Sequence, residues 1–528
     1  MAANVDQKEY NSNDKEEAKQ GPKKPGWQFW QYLYSCEKYN IVSIVIAVIA
    51  TAIILIIGID ECKTCFERLS KVSFENQQLS TKRSNTKKYW AYGRNVESGF
   101  LSNLFEVLER VGYENVANTS DWDLLWAHDY PFQKLYSVLN NLKPHQKVNH
   151  FPGCGYITNK VDLATSNLKY IPPAFKLPDQ KEALLKHLGE KESVQFVQKN
   201  NDHRHIKLKN ISDINLDEAN GTFVQEYISS PYLVSGYKFD IGIYTIITSV
   251  NPLRVYIYNG DALLRFCPAK YYPFDPQDIN KYVVGDDYLP TWEVPGLKYY
   301  YNTLGFGMKE SLNAYIRAEG KNPNVIWEQI IEAISIVTLN KESKIVDVVR
   351  KFKSKHNFFE MMRFDFVVDE HLRVYLMEAN MSPNLSSAHF PPNKLLFEQV
   401  IYNLLSVVGV AVRTSKNTLA RSEEEMHMET ADKNIAVYPE ECNNNICKTS
   451  CQPVMCQLCK NCLTAEDRLD LLRAHNEHLN KADCKRIFPP PMNTSIEIAI
   501  NFAEYSPKNQ MMYKWFLGKC ILDESWCK

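Results

Sequence analysis

Side chains able to do chemistry are most concentrated in the run Phe364-Asp365-Phe366-Val367-Val368-Asp369-Glu370-His371-Leu372-Arg373-Val374-Tyr375-Leu376-Met377-Glu378-Ala379-Asn380. Two β-branched and aromatic runs flank a short polar turn there, which predicts a hairpin. Side chains alternate faces along a strand, so Glu378 and Asn380 project the same way. Asp365 falls on the partner strand, close enough to converge with them. Three hard oxygen donors on a rigid hairpin suit Mg2+, which takes few protein ligands and fills its octahedron with water and phosphate oxygens. The same polar residues would equally line the wet face of a half-exposed hairpin.

Such a hairpin needs a body to hold it, and the stretch from Trp90 to about Val412 reads as one. Apolar strands alternate with amphipathic helical runs, the pattern of an α/β or α+β domain. Gln180 to Lys191 has helical spacing, and Val194 to Lys199 reads as a strand, as does Phe223 to Ile228. Lys238 to Ser249 predicts a long buried strand; Leu253 to Tyr258 follows an Asn251-Pro252 turn and pairs with it as a second hairpin. Val325 to Leu339 carries Ile326, Ile330, Ile334 and Val337 on one helical face, and Leu395 to Val412 closes the body as an apolar helix.

The chain has 528 residues, 45% of them apolar and 23% charged, enough for about three domains and a sizeable core. A net charge of −1 gives no electrostatic pull toward nucleic acid. Ile41 to Ile59 is an uncharged apolar run with the length of a bilayer-spanning helix, preceded by Trp27, Trp30, Tyr32, Tyr34 and Tyr39 as an interfacial belt. It predicts a single-pass membrane protein. Lys23, Lys24 and Lys38 on one side balance Lys63, Arg68 and Lys71 on the other, so basic residues leave the sidedness open. The segments read as a polar tail with the belt (1–40), the span (41–59), a stalk (60–86), the body (87–420), and a linker with a Cys-rich tail (421–528).

Nine of the fourteen cysteines lie in that tail: Cys442, Cys447, Cys451, Cys456, Cys459, Cys462, Cys484, Cys520 and Cys527. Clustering of this kind favours disulfides, which need an oxidising compartment; the C-x2-C spacing of Cys456, Cys459 and Cys462 keeps zinc as the alternative. Asn118, Asn210, Asn220 and Asn493 head glycosylation acceptor sequences.

Further segments surround the hairpin in a fixed order. Asn149-His150-Phe151-Pro152-Gly153 is followed by Lys160 and Ile171-Pro172-Pro173-Ala174-Phe175-Lys176-Leu177-Pro178. Then come Val224-Gln225-Glu226-Tyr227-Ile228, Gly236-Tyr237-Lys238-Phe239-Asp240, and at last Met377-Glu378-Ala379-Asn380-Met381-Ser382-Pro383. The ordered set, from about Asn149 to about Val412, resembles the tubulin–tyrosine ligase-like family, and Gln225 to Ile228 with the Lys238-Phe239-Asp240 strand is most similar to its polyglutamylating branch. The resemblance implies an ATP-grasp fold and an ATP- and Mg2+-dependent ligase. ATP would phosphorylate a protein carboxylate, and the amine of free glutamate would displace phosphate to form an amide; tubulin or microtubules would be the acceptor. By the same resemblance Asp365, Glu378 and Asn380 hold the metal and Lys199 contacts phosphate. Gln225, Glu226, Tyr227 and Ile228 form the adenine hinge, Lys238 and Asp240 line the nucleotide and acceptor site, and Arg265 grips a substrate carboxylate.

Three departures stand against that likeness. The family places an arginine two residues after the aspartate of its K-F-D motif, and this chain has Gly242. Asn200 to His205 replaces a glycine-containing loop, with Arg204 as a possible cation there, and Tyr282 to Pro290 replaces an H-L-T-N segment. A second reading follows: a catalytically weakened or inactive relative, acting as a membrane-anchored binding protein on the lumenal side.

Overall fold

Branched apolar residues dominate Phe239–Val250, here β9, and most of its side chains are buried irrespective of face, as in a strand covered on both sides. The computed structural model describes residues 86–528 except 118–120, 191–194, 200–206, 210, 218–221, 412–429, 454–455 and 493–503. The expectations for the N-terminal tail, the Ile41–Ile59 span, the stalk, Arg204 and the four acceptor asparagines lie outside the described residues. Among these residues no helix is long and apolar enough to cross a membrane.

The described residues form a mixed α/β fold with three sheets. The first is parallel, in the order β2 (Tyr113–Asn115), β1 (Lys87–Tyr92), β3 (Leu124–Ala127), β4 (Lys147–Val148). A small antiparallel sheet follows, in the order β5 (Ala174–Lys176), β8 (Phe223–Glu226), β6 (Phe196–Lys199), β7 (Lys207–Lys209). It carries its own core of Leu177, Leu184, Phe196, Ile214 and Val224, with α1 (Lys181–Glu190) contributing Leu184.

β9 organises the central sheet. One edge is shared by β10 (Leu253–Tyr258), along residues 245–250, and β11 (Leu263–Phe266), along residues 239–242; β12 (Leu289–Pro290) extends β11. The other edge takes β13 (Glu360–Val368), which turns back into β14 (Val374–Asn380). The predicted hairpins are therefore both present. The helix expected to end at Leu339 runs on as α2, Asn324–Val349. Its last turns bury Lys341 and Glu342, whose polarity breaks the apolar stripe in sequence. Lys341 Nζ is held by the Asp162 carbonyl, while Glu342 accepts from Ser506 Oγ and Asn509 Nδ2. The apolar helix near the end of the body is α3, Lys394–Val407.

The Cys-rich segment is built onto the same sheet. β15 (Cys484–Phe488) pairs antiparallel with β10. Two helices, α4 (Ala465–Leu479) and α5 (Pro507–Leu522), enclose a core of Leu471, Leu472, Met512, Trp515, Phe516 and Trp526. Disulfides join Cys442–Cys459, Cys447–Cys456, Cys451–Cys462 and Cys520–Cys527. The C-x2-C cysteines thus have three different partners, which disposes of the zinc alternative; Cys484 is buried and unpaired.

Candidate active site

The β13–β14 register sets Asp365 opposite Glu378, and a bulge between Asp365 and Phe366 re-aims the strand at that point. Asn380 Nδ2 donates to Asp365 Oδ2 at 3.0 Å and to Glu378 Oε1 at 3.1 Å, so the three predicted donors converge. An octahedral ion with metal–oxygen distances of about 2.0–2.1 Å separates adjacent ligand oxygens by about 2.9 Å. The amide of Asn380 occupies that spacing from both carboxylates, and amide oxygen and nitrogen exchange by a half-turn. The donor set therefore fits Mg2+. Lys160 leads a short helix, Lys160–Ala164, whose start is capped by the Asn159 side chain. Its Nζ lies 3.0 Å from Glu378 Oε2. Burial pushes the Glu378 carboxyl up, but Lys160 and the Asn380 hydrogen bond outweigh it and hold the group at about 2.

Two arginines complete this charged lattice. Arg265 on β11 faces Asp240 on β9 and forks onto it, Nε to Oδ1 at 2.9 Å and Nη2 to Oδ2 at 2.7 Å. Nη2 also reaches Asp365 Oδ2 at 3.0 Å, which ties the pair to the triad. Burial pushes the Asp240 carboxyl up against the pull of Arg265. Arg363, on β13 itself, forks onto Asp365 at 2.6 and 2.8 Å. Sequence reasoning missed Arg363 as a member of the site, although its spacing from Asp365 places both on one strand face. It also gave Lys160 no role of its own.

The residues expected at the nucleotide, other than Asp240 of the lattice, line one cleft. Val197, Lys199, Gln225, Glu226, Tyr227, Ile228 and Lys238 face Val367 and Met377 of the hairpin. Lys199 Nζ donates to Gln225 Oε1 at 3.0 Å, and Gln225 Nε2 to the Pro172 carbonyl at 3.3 Å. Glu226 pairs with His187 at 3.1 Å, and the Tyr227 hydroxyl meets that of Tyr271 at 3.0 Å. Lys238 Nζ donates to the Tyr282 carbonyl at 3.0 Å and sits over the Tyr227 ring. Burial lowers both Lys199 and Lys238 to about 8. Beyond burial, the Glu378 carboxylate favours the charge on Lys199 and the Lys160 ammonium opposes it. Tyr282, from the stretch that replaces the H-L-T-N segment, thus serves the cleft through its backbone.

A carboxylate–amide triad on a hairpin, with cationic side chains brought to it from two sheets, has the donor chemistry that hard cations and phosphate groups require. The chain belongs to the tubulin-tyrosine ligase family, whose model matches residues 138–418. It is 38% identical to "probable tubulin polyglutamylase ttll-15" of Caenorhabditis elegans over 448 residues, 82% of this chain and 85% of that protein. It is 28% identical over 340 residues to tubulin monoglutamylase TTLL4 of Mus musculus, which covers 60% of this chain and 28% of that protein. Tubulin polyglutamylase TTLL6 of Mus musculus is 26% identical over 377 residues, 65% of this chain and 43% of that protein. The chain thus spans most of the worm relative and less than half of the two mouse relatives.

Proposed function

We propose that the protein is an ATP- and Mg2+-dependent ligase of ATP-grasp type that joins the amine of free glutamate to a protein carboxylate, with tubulin as acceptor by family likeness. The observation that carries this reading is the convergence of Asp365, Glu378 and Asn380 beside a lysine-lined cleft. In the overall reaction the acceptor carboxylate takes the terminal phosphoryl group of ATP and ADP leaves. The glutamate amine then forms the amide, losing a proton as phosphate departs. Asp365, Glu378 and Asn380 would hold Mg2+, which when bound neutralises charge between phosphate groups.

The chain's own residues supply placement. Lys199 and Lys238 set cations at the cleft wall, and Gln225 fixes Lys199. Tyr227 and Ile228 close the apolar side against Val367 and Met377. Arg265 has its guanidinium fixed by Asp240, so it is pre-oriented to meet a substrate carboxylate. Ile41–Ile59 would tether the body to a membrane. The reading is tested by glutamate incorporation into tubulin with Mg-ATP, comparing the wild type with Asp365→Ala and Glu378→Ala; equal incorporation by all three would overturn it.

The four disulfides favour a second reading. Such bridges persist in oxidising compartments, whereas tubulin tails are cytosolic. On this view the body lies on the lumenal side as a membrane-anchored binding protein with little turnover. Glycosidase treatment of the full chain from cells, read beside non-reducing gels, decides between the two: a mobility shift places the body in the lumen, and no shift with free thiols in the tail leaves it facing tubulin.

A further inference from the structure

Gly242 and Arg363 occupy the same space from two strands. Gly242 on β9 is paired with Asp365 on β13, and Arg363 sits two residues before Asp365 on that strand. A Cβ at position 242 would lie 2.9 Å from Arg363 Cδ, 3.3 Å from Arg363 Nε and 3.3 Å from Asp365 Oδ1. Any side chain there would have to displace the stem of Arg363. Glycine in a strand interior gives up packing and backbone order, so it needs a reason. Here the backbone is ordinary β and the reason is the passage of Arg363.

The resemblance asks for a guanidinium rooted at position 242. The strand pairing supplies one rooted at position 363 that crosses directly over position 242. We propose that Arg363 and Gly242 form a matched pair, in which Arg363 takes over the cationic post expected on β9. Arg363 is a positioning residue: it forks onto Asp365 at 2.6 and 2.8 Å and so fixes the carboxylate that would hold the metal. Its environment suits that role. The side chain is only 7% exposed, and the charge count of the lattice closes with it. Asp240, Asp365 and Glu378 are matched by Arg265, Arg363 and Lys160. Without Arg363, three carboxylates would share two of those cations. The glycine at position 242 is then no loss of the cation but its relocation to the neighbouring strand.

This inference rests on the reading of the cleft and triad as a Mg-ATP site, and the experiment separates the two. Mg-ATP binding to the full chain is measured by calorimetry, together with Mn2+ binding by electron paramagnetic resonance, for the wild type, R363G, G242R, R363Q and the double variant R363G/G242R. R363G should weaken Mg-ATP and Mn2+ binding about tenfold, by loss of a charge-assisted fork on the ligand carboxylate. G242R alone should weaken both to a similar degree through its collision with Arg363. The double variant should recover to within about threefold of the wild type, as expected for coupled neighbours. R363Q fills the space over Gly242 without charge and covers the case in which R363G fails to fold; it should weaken binding, with an unfolding midpoint that is lowered but still above the assay temperature. Wild-type affinity in R363Q, or a double variant no better than the poorer single, would overturn the matched pair. Absence of any Mg-dependent ATP binding by the folded wild type would instead overturn the site reading on which it stands.

Discussion

Arg254 of β10 and Glu477 of α4 meet as a two-pronged pair, Nε to Oε2 at 2.8 Å and Nη2 to Oε1 at 3.0 Å, with the side chains 2% and 9% exposed. Thr248 and Tyr256 hydroxyls also donate to Glu477 Oε2. The pair joins the central sheet to the disulfide-rich segment through a buried charge on each side.

Removing one partner leaves the other charge buried and unmatched. Glu477→Ala should therefore destabilise the fold by about 3–5 kcal/mol. A urea titration followed by tryptophan fluorescence reads this as a lower midpoint. Replacing both, as Arg254→Met with Glu477→Leu, should cost clearly less than the single change.

Lys160 holds the Glu378 carboxyl down at about 2, against the upward push of burial. Lys160→Met should raise that group toward the ordinary carboxylate range. The acid limb of the pH profile of glutamate incorporation then moves to higher pH, while the rate near pH 8 changes least. For stability the sign is the same: a depressed carboxylate contributes above its unfolded value of about 4.3 and loses that contribution as pH falls toward about 2.

Lys199 and Lys238 stand at about 8 because burial disfavours their charge. Phosphate needs both charged, so nucleotide binding should take up protons above pH 8. ATP affinity should fall about tenfold per lysine between pH 7 and pH 9, and calorimetry in two buffers of different ionisation heat measures the proton uptake. The empty protein should move oppositely. An unfolded chain keeps these lysines protonated up to about 10.4, so their contribution to stability rises with pH between 8 and that value.

The bridge Cys442–Cys459 closes a separation of 17 residues, and a loop of that size confers about 3 kcal/mol. Mild reduction should speed hydrogen exchange in Cys484–Phe488 and α5. Exchange in β13 and β14 should stay slow, because that hairpin is paired to β9 along Glu360–Phe366. Peptide-resolved exchange with and without reductant checks this.

The hairpin and its triad were legible because their determinants are local: alternation within Phe364–Asn380 and the spacing of Glu378 from Asn380. The cleft residues followed from motif order alone, since Lys199 and Gln225 stand on two strands and Lys238 just ahead of a third, and nothing in their spacing brings them together. Other features needed pairings between distant segments. The second partner of β10 is β15, which lies beyond both α3 and the first three cysteine bridges. The parallel first sheet was not read strand by strand because β2 and β4 contribute only three and two residues. Lys341 and Glu342 concealed the last turns of α2, because burying them requires partners from elsewhere in the chain. Gly242 read as a missing cation for the same reason: strand register, and not sequence, puts Arg363 over it.

β15 also covers a strand edge that would otherwise be open. Val255, Tyr256, Ile257 and Tyr258 are all paired to it, with a register shift after Val255, and all four side chains are buried. A chain cut at residue 418, where the family match ends, would leave that strand as a bare apolar rim with open amide and carbonyl groups. Such rims recruit a further strand from a neighbouring molecule, which is the route to aggregation. The disulfide-rich segment is thus a guard strip for the ligase body, and the shortest well-behaved form of the protein is longer than its family signature.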